Sequence, residues 1–284
     1  MKLTFIAACH NRRELTIRAA HQVLAASDAA GVESRLIVFD DGSTDGSADS
    51  LRKVDSRIQI LTGDGNAFWA KSMAAAERWA LENAQGWGTD YVVWINDDVD
   101  FDHDFVGRIH SVAIEHPGAV LVGAVREPDS HITSYSGLER AGVHPLNFRR
   151  VSPAESSVIP VQTFNGNLVW VPVTAARAVG GIDGYFSHGL ADIDYGLRCN
   201  RQNIAVLLAP GTYGECARNK IPKNSTFIRD WRSFTNAKGG GNFNSLRHIL
   251  RKSNRFSWPV AIAATYSKWT ATHALFAIRG WGRP

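Results

Sequence analysis

Cysteine is scarce in this sequence, and its three copies, Cys9, Cys199 and Cys216, stand far apart. An odd, dispersed set excludes a disulfide framework and a Cys-x-x-Cys zinc site, and it suits a reducing compartment. Long apolar runs are missing too. The stretch from Leu3 to Cys9 is too short for a secretory signal, and no uncharged run approaches the roughly 20 residues of a spanning helix. The expectation is therefore a cytoplasmic chain that neither crosses nor leaves through a membrane. No GxGxxG fingerprint, P-loop or internal repeat occurs, and no Pro- or Ser-rich tract marks long disorder. Acid is nearly absent from the end of the chain, where residues 217–284 hold thirteen Lys/Arg against Asp230 alone.

What remains is a soluble globular composition, 284 residues with 44% apolar and 20% charged, enough to bury a sizeable core. The total charge is +4, so residues 1–216 carry a balance of −8 beneath a basic tail. An acidic body with a basic appendage differs from a uniformly basic nucleic-acid binder, and no nucleic-acid partner is expected.

Periodicity predicts strands at Leu3 to Ala8, Arg35 to Asp40, Ile58 to Thr62 and Tyr91 to Asn96. Helices are predicted at Glu14 to Ala26, from Ser43–Ser47 to about Lys53, and from Asn66 to Asn83. This alternation implies a mainly parallel sheet with helices on both faces, whose ligands bind beyond the carboxyl ends of the strands. Those ends read His10-Asn11-Arg12, Asp40-Asp41, Gly63-Asp64-Gly65 and Asn96-Asp97-Asp98. Further on, strands are expected at Ala119 to Ala124, Val161 to Pro172 and Ala205 to Ala209, and a helix at Asp192 to Arg201. Gly239-Gly240-Gly241 reads as a flexible joint.

Adjacent acids such as Asp97 and Asp98 repel unless a cation sits between them, and magnesium or manganese with a phosphate ligand would supply one. The same run also reads as a solvated, helix-capping turn. Asp40-Asp41-Gly42 poses the same choice between a base or ribose contact and a tight strand-to-helix turn. Two acidic strand ends in one sheet favour a nucleotide-diphosphate and metal site.

The order of His10-Asn11-Arg12, the run DDGSTDGS from Asp40 to Ser47 and INDDV from Ile95 to Val99 resembles the inverting glycosyltransferases of family 2, over about residues 3–215, with a rhamnosyltransferase-like variant. The resemblance implies a GT-A fold. Residues 1–100 would form a Rossmann-like nucleotide-sugar half and 101–216 an acceptor half, making 1–216 the catalytic domain, with a basic helical extension over 217–284. It implies a donor pocket from Ala8, His10, Arg12, Asp40, Asp41, Asp64, Asn66, Trp69, Asn96 and Asp97, with Asn66 capping the helix that faces the phosphates. The Phe68-Trp69 pair also reads as core. The family's Asp-x-Asp motif falls on Asn96, Asp97 and Asp98, so Mg2+ or Mn2+ would sit on Asp98 first and Asp97 second.

His188-Gly189-Leu190-Ala191-Asp192-Ile193-Asp194 resembles the family's catalytic segment, with Ala191 in place of Glu and Asp192 as the implied base. Asp192 also reads as a helix N-cap. Asn165, Gly166, Asn167 and His188 would meet the acceptor, although Asn-Gly is equally a hairpin signal. Relatives place a third metal-binding residue where this chain has Glu215, Cys216, Arg218 and Asn219. Arg218 or Lys220 would instead neutralise the leaving diphosphate, or the segment reads as a solvated loop.

The tail interleaves Trp258, Tyr266, Trp269, Phe276 and Trp281 with Arg255, Lys268, Arg279 and Arg283. That suits an interfacial helix at the inner face of a membrane bearing a lipid-linked acceptor, or a helix folded onto the body or across a homodimer. Pro259 is expected to break any single long helix. The resemblance thus implies transfer of a sugar from a nucleotide-diphosphate donor, dTDP-rhamnose or a UDP-sugar, to a glycan or lipid-linked hydroxyl in surface polysaccharide synthesis. The rival readings are a sugar nucleotidyltransferase, which would carry a Gly-rich basic loop after the first strand, and a sugar-binding scaffold that has lost catalysis through Asn96 and Ala191.

Overall fold

The structure, a computed structural model, describes residues 1–218 and 226–279, the last part of the final helix (274–279) by its backbone only. Asn219, Lys220, Trp281, Arg283 and the side chains of Phe276 and Arg279 lie outside the described residues. The chain opens with β1 (Lys2–Cys9), α1 (Arg13–Ala29), β2 (Glu33–Asp40), α2 (Ser47–Arg52) and β3 (Ile58–Thr62). It continues with α3 (Phe68–Glu82), α4 (Ala84–Trp87) and β4 (Tyr91–Ile95). β1 and β4 are buried almost throughout, as strands covered on both faces require.

The second half runs through β5 (Asp100–Phe101), α5 (Phe105–Glu115), β6 (Val120–Arg126), β7 (Thr133–Tyr135), β8 (Gly137–Arg140), β9 (Phe148–Arg150) and β10 (Ile159–Pro160). Next come β11 (Thr163–Phe164), β12 (Leu168–Pro172), α6 (Val173–Val179), α7 (Ala191–Arg201) and β13 (Val206–Glu215). The extension supplies α8 (Phe227–Thr235), α9 (Phe243–Ser253) and α10 (Trp258–Arg279).

The central sheet runs β10-β13-β6-β12-β4-β1-β2-β3, and a small sheet runs β11-β8-β9. Its nucleotide-side strands are parallel: β1 with β2 and β4, and β2 with β3. The other side is mixed, because β12 lies antiparallel between β4 and β6 while β13 is parallel to β6. One apolar cluster fills each face. The first, around Ile6, Met73, Trp94, Phe164 and Tyr195, also takes in Leu246, Ile249 and Leu250 of α9. The second, around Phe5, Leu24, Phe105 and Trp170, lies under α1 and α5.

Several local expectations change. The strand expected over Val161 to Pro172 is two strands in two sheets, so Asn165-Gly166 makes no hairpin. The triple glycine is a packed turn, not a loose joint. A Cβ on Gly239 or Gly241 would meet the Phe234 carbonyl or ring within 2.5 Å, so close approach explains the glycines. Pro259 sits in the first turn of α10, where a missing N–H costs nothing, and the helix runs on past it. Asn66 does not cap α3. That helix starts at Phe68, and its leading amides are taken by a carboxylate from another strand end. Among the described residues, no helix is long and apolar enough to cross a membrane.

Candidate active site

Two concavities mark the ends of the parallel strands. The wider, about 700 Å³, opens at the amino ends of β2 and β3 around Arg35, whose guanidinium lies over Trp79 and Trp87. The other, about 360 Å³, lies beyond the carboxyl ends of β1, β2 and β4, where ligands of such sheets bind, and holds the acids. β1 delivers Ala8, His10 and Arg12 to this cleft, β2 delivers Asp41, and β4 runs into Asn96, Asp97 and Asp98. Trp69 enters from α3, Asn167 from the β11–β12 link, and His188 from the turn before α7.

The loops are locked to one another before any ligand arrives. Asp41 accepts from the amides of Gly65 (2.9 Å), Ala67 (3.0 Å) and Phe68 (2.9 Å), pinning the loop after β3 across the end of β2. Gly42 and Gly63 make that approach possible, since a Cβ on Gly42 would lie 2.9 Å from the Gly65 nitrogen. Phe68 adopts φ +53° at the cleft wall, a strained conformation held by this clamp. The His10 ring bonds through Nδ1 to the Asp41 carbonyl oxygen, and Asn11 accepts from the Thr44 amide at 2.8 Å. Asp40 is buried and accepts from the Ser43 amide, and Asp64 from that of Asn66, so both shape loops behind the wall.

Asn96, the residue at the first acidic position, accepts from Trp69 Nε1 at 2.9 Å. Asp97 is buried against Arg12 Nη1 (2.8 Å) and Thr16 Oγ1 (3.1 Å). Burial raises its carboxyl, with the Arg12 charge working against that rise. Asp98 is half-exposed, 3.2 Å from Arg12 Nη1 and 3.9 Å from Cys216 Sγ. Burial, seconded by Asp98, pushes the Cys216 thiol up to about 12, so it faces the acid as a neutral donor.

A divalent cation is what the fold implies here. Among the described residues no three His, Cys, Asp or Glu side chains form a protein-built cage. Magnesium-type sites in phosphate chemistry commonly use one or two carboxylates and leave the remaining positions to phosphate oxygens and water. The open carboxylate of Asp98, with Asp97 behind it, fits that pattern.

Asp192 lies in the first turn of α7, and Leu190, at φ +76°, is the residue before the helix. Its carboxylate accepts from the amides of Ile193 (2.8 Å) and Gly166 (3.1 Å). A Cβ on Gly166 would sit 2.9 Å from the Trp69 ring and 3.5 Å from the Asp192 Cβ, so this glycine lets Asp192 pack close behind Trp69 of the cleft wall. Burial raises the Asp192 carboxyl, and the two amides oppose it. Next to it Asp194 is buried and paired with Arg198 at 2.7 Å, as the i,i+4 spacing predicts. Asn165 stands beside Gly166, its amide bonded to the Ser136 carbonyl.

Two residues of the cleft and one buried beneath α7 are absent from the sequence reading. Tyr135 of β7 and Lys238, from the turn between α8 and α9, both line it, although neither neighbours a motif in sequence. Glu77 of α3 is fully buried beneath α7, between the Ile182 amide and the Tyr195 hydroxyl. A lysine set in Asn-Ala-Lys-Gly-Gly-Gly was the one available signal. Arg218, expected at the diphosphate, pairs with Glu127 at 3.3 Å and donates to the Thr133 carbonyl.

A parallel half-sheet reversed by an antiparallel insertion, with acids at the strand ends, is the architecture of GT-A glycosyltransferases. Solved members share it at low identity. Mannosyltransferase PcManGT from Pyrobaculum calidifontis, in complex with GDP-Man and Mn2+, superposes with a TM-score of 0.56 at 14% identity, covering 96% of this chain and 75% of that one. S. aureus TarS gives 0.59 at 12%, covering 89% and 39%, and its residues 1–349 in complex with UDP-GlcNAc give 0.56 at 14%, covering 88% and 66%. The family described as Glycosyl transferase family 2 matches residues 4–172, and the chain belongs to that family. Among curated proteins, an N-acetylglucosaminyl-diphospho-decaprenol L-rhamnosyltransferase of Mycobacterium tuberculosis is 24% identical over 195 residues, 62% of this chain. The chain spans 64% of the length of that relative.

Proposed function

We propose that the protein is an inverting, metal-assisted glycosyltransferase that moves a sugar, a deoxyhexose such as rhamnose or the sugar of a UDP donor, from a nucleoside diphosphate to a hydroxyl of a glycan or lipid-linked acceptor. The observation that supports this reading is that Asp41 and Asp98, from separate stretches of chain, line one cleft, with Asp192 behind Gly166 and next to Trp69 of its wall. The diphosphate lies along Arg12 and Asp98, with the base towards Ala8, His10 and the Asp41 clamp. A divalent cation, which Asp98 with Asp97 behind it would hold, would supply positive charge to the diphosphate.

Asp192 accepts the proton of the acceptor hydroxyl. That oxygen bonds to the anomeric carbon as the carbon–oxygen bond to the diphosphate breaks on the opposite face, so the configuration inverts. The electron pair of the broken bond stays on the phosphate oxygen. A carboxylate lifted by burial is a stronger base, and its two amide contacts fix its orientation. Acceptor hydroxyls meet Asn167 and His188 at the cleft wall.

The extension exposes Phe227, Ile228, Phe256 and Val260 on a segment rich in Lys and Arg, which supports contact with an anionic lipid surface carrying the acceptor.

The test is turnover and binding with UDP-, dTDP- and GDP-sugars, with and without manganese. One donor class is expected to bind and be consumed. Asp192→Asn should cut kcat about 10²–10⁴-fold while leaving donor affinity unchanged. Wild-type turnover by that variant removes Asp192 from the role.

A further inference from the structure

Arg12 carries the only other full positive charge on the cleft wall among the described residues, and it is already divided between Asp97 and Asp98. The diphosphate of a nucleotide sugar brings two negative charges, and a third appears at the phosphate when the sugar departs. The catalytic body, at a net −8, is poorly provided for that load.

Lys238 enters the cleft from outside that body. It stands in the turn between α8 and α9, which is built to hold one shape. The Lys238 amide donates to Asn236 Oδ1 at 2.9 Å, the Gly241 amide to the Phe234 carbonyl at 2.9 Å, and Ser187 Oγ to the Ala237 carbonyl at 2.6 Å. The last bond ties the turn to the segment that carries His188. The Lys238 ammonium lies 5.9 Å from the centre of the Phe68 ring, itself set by the Asp41 clamp. Among the described residues Lys238 has no carboxylate within ion-pair distance. It is the cleft's uncommitted cation. Lys238 and Arg12 both bear on His188, whose ring is held below its ordinary value by burial and then by these two charges. Both cations line the same cleft of about 360 Å³.

We propose that Lys238, carried into the donor cleft by the basic extension, binds the diphosphate of the nucleotide sugar and takes up the charge left on the phosphate oxygen when the anomeric bond breaks. The proposal rests on the donor-site reading given above. It assigns the extension a part in catalysis, which a peripheral appendage would not have. Charge-assisted contacts to phosphate are among the stronger hydrogen bonds, and loss of one lowers affinity about 10- to 100-fold.

The experiment is calorimetric titration of the full chain and of Lys238→Met and Lys238→Arg with UDP, GDP and dTDP and with their nucleosides. Methionine keeps the stem over Phe68 and removes the charge; arginine keeps the charge. Wild type is expected to bind one diphosphate well above its nucleoside. Lys238→Met should lose about 10- to 100-fold of that margin with nucleoside affinity unchanged, and Lys238→Arg should restore most of it. A Lys238→Met protein that keeps the full margin overturns the proposal, as does one that loses nucleoside and diphosphate affinity equally, which marks a structural role. Wild type that binds none of the three diphosphates overturns the donor-site reading and this inference with it.

Discussion

Inside α3, Glu77 is shielded from water on every side, and burial lifts its carboxyl to about 7. A folded value above the unfolded 4.5 means that the native state holds its proton more tightly. The stabilisation is complete below about 4.5 and is lost as pH rises through about 7, amounting to roughly 3 kcal/mol. Glu77→Gln should flatten the fall in thermal midpoint across that window, measured by calorimetry at a series of pH values. An unchanged slope would mean that another group governs it. Gly181 has φ +73°, and a Cβ there would come within 3.1 Å of Glu77 Oε2, so the glycine is part of the same device. None of this was legible in sequence, because Glu77 looks like any helix-surface acid until α7 is laid over it. Asp41 is the converse case. Its position at a strand end was readable, but its three amide bonds depend on a loop returning from β3.

At the scale of elements, β1, β2, β3, β4 and α3 follow their expected spans closely, since each carries enough residues to display its own period. The strands β7 to β11 are only two to four residues long, too short to display a period of their own, so no local pattern announces them. α9 docks through Leu246, Ile249 and Leu250 and through Lys252, which reaches both Asp183 and Asp194 (3.0 Å). His248 joins Asp183 at 2.7 Å, and these contacts hold the Asp183 carboxyl far below the usual carboxylate range despite partial burial. Lys252→Met should cost about 2 kcal/mol of local stability and speed amide exchange in α9 roughly tenfold or more. Exchange at wild-type rates would show that the apolar face alone holds the helix.

For the whole molecule, residues 1–216 carry −8 and the extension +12, and the extension exposes Phe227, Ile228, Phe256 and Val260. Co-sedimentation with phosphatidylglycerol-containing vesicles is expected, with little on pure phosphatidylcholine and release by about 0.5 M salt. Binding indifferent to lipid charge would refute the electrostatic part. The charge asymmetry was readable from composition; the role of Lys238 was not, since it depends on a turn folding back over a cleft built from residues far earlier in the chain.

The placement of β12 between β4 and β6 also dictates an order of events on the ribosome. While translation is under way, the finished nucleotide-side strands present β4 as an open edge, and β6 emerges with no neighbour to bridge to it. Only when Leu168–Pro172 leaves the exit tunnel can the two halves be stitched together, and until then the edge of β4 is open to pairing with other chains.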